Sequence, residues 1–122
     1  MRPINVVLAH HDPVVARLLA ESLRPRFHKV VTTTSLSQAE TEIARVRASF
    51  VVADLELLSY DDLQKLCSEF PATAVACVHR LADEQMWLQS LSAGAVDCCQ
   101  SEDVRGLVRA SERWTTPVPT AA

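Results

Sequence analysis

The stretch Phe50-Val51-Val52-Ala53-Asp54 constrains the fold of this chain more than any other. An uninterrupted apolar run ends in one carboxylate, and Leu55-Glu56-Leu57-Leu58-Ser59 follows it. A run this short, with no polar alternation, fits a strand buried on both faces, as in parallel sheets. Asp54 then stands at the C-terminal end of the strand, where open α/β sheets bind their ligands. Every other candidate for chemistry can be judged by whether it converges on Asp54.

The flanking chain repeats one pattern. Ile4 to Ala9 reads as a first buried strand. Asp12 follows as a helix N-cap and Pro13 as the first helical residue. That helix runs to about Leu23, with Val15, Leu18, Leu19 and Leu23 on its inner face, and Pro25 stops it. Val30 to Thr33 is a second strand. Ser35 and Gln38 form a capping-box pattern ahead of the stripe Leu36, Ala39, Ile43 and Val46. After the central strand, Ser59 and Asp62 cap a helix that buries Leu63, Leu66, Cys67 and Phe70 and ends at Pro71. Ala74 to Val78 is a fourth strand ending at His79. A helix from about Asp83 to Ala93 turns Trp87, Leu88 and Leu91 inward and closes at Gly94. Ala95 to Cys99 is a fifth strand, and a last helix spans about Glu102 to Trp114. Such strict alternation predicts a doubly wound α/β domain: a five-stranded parallel sheet with helices on both faces.

The 122 residues make one domain with room for a real core, residues 1–114, followed by a tail or linker over 115–122. A hydrophobic content of 48% excludes a disordered chain. A net charge of -3 and a pI near 5.7 argue against nucleic acid or an acidic membrane as partner. The densest basic group, Arg24, Arg26, His28 and Lys29, reads as a solvated rim. Cys67, Cys77, Cys98 and Cys99 form no C-x-x-C pair and are expected as buried, reduced thiols. Adjacent Cys98 and Cys99 would point to opposite faces of a strand. The run from Ile4 to Ala9 is too short for a secretory or membrane segment, which makes the cytoplasm the expected compartment.

In a doubly wound sheet the strand ends share one edge, and His10, His11, Asp12, Asp54, His79 and Ser101 all fall on it. From Ile4 to Trp114 the chain resembles the receiver domain of bacterial two-component response regulators. The resemblance rests on Ala9 to Pro13, on Asp54-Leu55-Glu56-Leu57 and on Gly94-Ala95-Val96-Asp97, which matches the family's Gly-Ala-x-Asp. It implies a flavodoxin-like sheet of order 2-1-3-4-5 and a signalling module rather than an enzyme. It also implies phosphoryl acceptance at Asp54, with a sensor kinase, output domain or effector as protein partner. Receivers commonly pair through the fourth helix, fifth strand and fifth helix. Here a homodimer face would include Trp87 and the segment Asp103–Trp114.

The chain departs from this family at each supporting position. His10 and His11 stand where receivers carry an acidic pair, His79 where they carry a hydroxyl, and Ser101 where they carry a lysine. The proline that receivers usually carry a few residues past the acceptor is missing from Leu57-Leu58-Ser59. Asp12 matches a variable position, and its capping role accounts for it. Imidazole is a poor magnesium ligand, so Mg-dependent phosphorylation of Asp54 is expected to be weak or absent. The leading expectation is therefore an atypical receiver acting by protein–protein recognition, and its alternative is a working phosphoacceptor switch modified on Asp54. A third reading is a transition-metal or pH-sensing site built from His10, His11, His79 and Asp54, with His11, Asp54 and His79 as the ligands. Neighbouring His10 and His11 are expected to point differently, which weighs against shared ligation.

Overall fold

In the computed structural model, which describes residues 4–115, each predicted apolar run becomes a strand of one parallel sheet. In chain order the elements are β1 (Asn5–Ala9), α1 (Pro13–Leu23), a short 3₁₀ turn (Arg24–Arg26), β2 (Lys29–Thr33), α2 (Leu36–Val46), β3 (Phe50–Asp54), α3 (Tyr60–Glu69), β4 (Ala74–His79), α4 (Glu84–Ala93), β5 (Asp97–Gln100) and α5 (Val104–Thr115). The sheet order is β2-β1-β3-β4-β5, as expected for the flavodoxin-like receiver fold. The expected tail begins at Thr115, which ends α5, and from residue 116 onward it lies outside the described residues.

Period-two alternation divides the strands between two cores. Val6, Leu8, Phe50, Val52, Ala76 and Val78 face α1 and α5, where they meet Leu19, Leu23 and Leu107. Val7, Val51, Ala53, Val75 and Cys77 face the other side, against Ile43, Leu63 and Leu66. Cys99 joins the first core and Cys98 borders the second, so the vicinal pair points apart. All four cysteines are free thiols. Burial pushes the Cys77 thiol up to about 12, far from thiolate chemistry.

Local signals set most helix ends. The Asp12 carboxylate accepts from the Val14 and Val15 N–H groups, and Pro13 opens α1. Ser59 and Asp62 exchange side-chain and backbone hydrogen bonds in a full capping box. Ser35 caps α2, but Gln38 reaches back to the N–H and hydroxyl of Thr34, so that box stays half formed.

Two inward faces differ from expectation. Leu18 is 53% exposed, because α1 turns Ala16, Leu19, Ala20 and Leu23 inward. Trp87 and Leu88 are 40% and 52% exposed, and α4 buries only Ser90 among its residues. This helix sits close against α3 and β5, so a small side chain occupies its contact line. The indole N–H of Trp87 donates to Asp97 Oδ1 at 3.1 Å, which holds the ring at the surface. No helix among the described residues is long and apolar enough to cross a membrane.

Candidate functional site

The register aligns the ends of β1, β3 and β4 at one edge: Ala9 lies beside Ala53, and Asp54 beside Val78. Asp54 is fully buried there. Its Oδ1 accepts the Glu56 N–H at 2.9 Å, and its Oδ2 accepts the His11 N–H at 3.0 Å. The His11 ring adds a third bond, from Nδ1 to Oδ2 at 2.5 Å. Burial by itself would push this carboxyl up. The hydrogen bonds from the His11 ring, the His11 backbone and the Glu56 backbone outweigh it and hold the group below its ordinary range. His11 is shifted upward, chiefly by its bond to Asp54 against some desolvation, with Glu56 and Asp12 adding to the rise.

His10 lies beneath this pair. Its backbone N–H continues the sheet by donating to Thr33 O at 3.1 Å, and the residue is 3% exposed. The expectation that His10 and His11 diverge does not hold: their rings stack with centroids 4.9 Å apart and planes 19° apart. Alternation applies only within an extended strand. β1 ends at Ala9 and His11 already lies in a bend, so the second imidazole folds back over the first.

Of the residues expected to converge, His10, His11 and Asp54 meet directly. Asp12 and Ser101 line the adjoining cavity of about 510 Å³, together with Glu56 and Arg80. His79 is not among the cavity residues, and its Nδ1 accepts the Leu81 N–H at 2.9 Å as a turn bond. Sequence reasoning passed over Glu56 and Arg80. Arg80 Nε donates to Glu56 Oε1 at 2.8 Å, and Glu56 Oε2 lies 3.9 Å from His11 Nδ1. The signal for both was available: each lies just past the end of β3 or β4, where that edge collects side chains.

The donor set decides which cations fit. Magnesium takes hard oxygen ligands in a near-ideal octahedron. Two of the three donors that converge on this spot are imidazole nitrogens, so the residues present do not fit that ion.

No family model matches this chain, and no curated protein matches it in sequence. Solved structures match it in fold. A response regulator from Thermotoga maritima superposes with a TM-score of 0.81 at 20% identity, covering 95% of this chain and 100% of that one. A two-component response regulator of the LuxR family from an Aurantimonas species gives a TM-score of 0.79 at 18% identity, covering 92% of this chain and 84% of that one. A chemotaxis protein from Vibrio cholerae gives 0.77 at 10% identity, covering 93% and 99%.

Proposed function

We propose that this chain, which has the receiver fold, is an atypical receiver module of two-component signal transduction in the cytoplasm. It acts by protein–protein recognition, with little or no Mg-dependent phosphorylation of Asp54. One observation carries the reading: the acceptor-position carboxylate is already bonded at both oxygens, twice by His11 and once by the Glu56 N–H. In phosphoryl transfer, metal and cationic groups neutralise the oxygens of the group in flight. Here an imidazole occupies the carboxylate instead, and Ser101 stands where the lysine would be. The module is a binding surface rather than an enzyme. Its partner is a protein, a sensor kinase, output domain or effector, with a second copy of the chain as the first candidate.

The test is incubation of the full chain with a small phosphodonor and magnesium, read by intact mass. The expected spectrum shows unmodified protein. A phosphoryl adduct that disappears in Asp54→Asn establishes the alternative, a working phosphoacceptor. One observation favours that alternative: Asp54 is held ionised, as a nucleophile must be.

A further inference from the structure

Among the described residues, His10, His11 and Asp54 form the one group of three or more metal-ligating side chains whose ligand atoms all lie within 4.8 Å of each other. The hydrogen-bond pattern there places no proton between His10 and Asp54. His10 Nδ1 accepts the Asp12 N–H at 3.0 Å, so this nitrogen presents a lone pair and the ring proton sits on Nε2. The same Nδ1 stands 3.5 Å from Asp54 Oδ2, which is itself an acceptor. His11 supplies the only ring proton that reaches that oxygen. Two acceptors thus face each other in a region closed to solvent, an arrangement that a cation relieves. His10 Nε2 is buried without a hydrogen-bond partner. A buried donor left unpaired is destabilising, a cost that the Asp12 bond and the stack on His11 only partly offset.

We propose that His10, His11 and Asp54 form a three-ligand site for a divalent d-block cation of zinc-like chemistry, bound through the two Nδ1 atoms and Oδ2. Zinc takes imidazole nitrogen and carboxylate oxygen at about 2.0–2.1 Å in a tetrahedron, which sets donors roughly 3.3 Å apart. The His10 Nδ1 to Oδ2 separation of 3.5 Å already matches. The His11 contact of 2.5 Å opens by less than about 1 Å as the metal replaces the shared proton. The Nδ1 proton moves, by exchange with solvent at this 45% exposed side chain, to Nε2 of the same ring if His11 is neutral and to solvent if it is an imidazolium, and the Asp12 N–H gives up its bond to His10. Water in the adjoining cavity, or Glu56, completes the fourth position. The donor set that rejects magnesium is the one that selects zinc, nickel or copper. This inference does not depend on whether Asp54 accepts a phosphoryl group.

The experiment is calorimetric titration of the full, chelator-treated chain with Zn²⁺ alone, with histidine ring resonances followed in parallel. The expected result is saturable one-to-one binding at micromolar metal, with shifts in both His10 and His11 rings. Millimolar magnesium does not compete. His11→Gln, at an exposed position, weakens binding by about tenfold or more. His28→Gln and His79→Gln leave it within about twofold, inside the additive scatter of distant sites. Asp54→Asn is expected to act as His11→Gln does. No saturable heat at micromolar zinc overturns the proposal. So does affinity that survives His11→Gln, or that depends on His28 or His79.

Discussion

Asp54 has to stay ionised while fully buried, and His11 is the residue that makes this affordable. The two shifts have opposite signs and define a pH window for the metal-free protein. His11 is raised, so its contribution to stability is complete below the ordinary imidazole value and is lost as pH rises through the raised one. Asp54 is lowered, so its contribution is present above the ordinary carboxylate value and is lost as pH falls through the lowered one. Urea stability in chelator is therefore expected to be flat between about pH 4 and 6.5 and to decline on both sides. Asp54→Asn flattens both limbs. An NMR titration of the His11 ring should show a midpoint above that of a free histidine, returning to ordinary in Asp54→Asn. A midpoint unmoved by that substitution would disconnect the two groups.

The turns between elements carry their own strain. α2 ends at Arg47 with φ 52° and ψ 55°, a left-handed conformation that costs a side-chain-bearing residue about 1 kcal/mol. Arg47 is exposed, so Arg47→Gly is expected to raise stability by about 0.5–1 kcal/mol in chemical denaturation. Gly94 makes the same turn after α4 with φ 112°, and there the native residue already suits it. A Cβ at Gly94 would lie 2.9 Å from the Cys67 Cβ in α3, so strain and clash act together. Gly94→Ala is expected to cost more than about 1 kcal/mol. If both variants unfold at the wild-type midpoint, these turns are not the stress points the dihedrals imply.

At the scale of the whole molecule, two cores lock the sheet, and the surface that remains is uneven. Leu81, Trp87 and Leu88 are exposed on and just before α4, and the Trp87 indole bonds Asp97, which also accepts from Arg113 of α5 at 3.1 Å. The proposed self-association uses this face. Sedimentation of the full chain is expected to show a concentration-dependent dimer that Trp87→Arg, at an exposed position beside Asp97, abolishes without loss of fold. A chain that stays monomeric at high concentration removes the second copy as a partner and leaves heterologous recognition. Core burial supplies the contrast. Leu107→Ala, at a fully buried position, is expected to cost about 2–5 kcal/mol, and Leu18→Ala far less.

Most of this architecture follows from short-range rules that act on neighbouring residues. Unbroken apolar runs specify strands buried on both faces, Asp12 and Ser59 specify helix starts, and Gly94 specifies a stop. Those rules also carry Asp54 and its neighbours to one edge of the sheet. What they do not carry is side-chain direction once the chain leaves a regular element. The stacking of His11 on His10, the turn bond that keeps His79 apart, and the approach of Arg80 to Glu56 depend on how three loops meet. The outward turn of Trp87 was likewise decided by the fit of α4 against α3 and β5, where a serine lies on the contact line. Periodicity reports which residues share a face, but only packing in three dimensions decides how much of that face is covered.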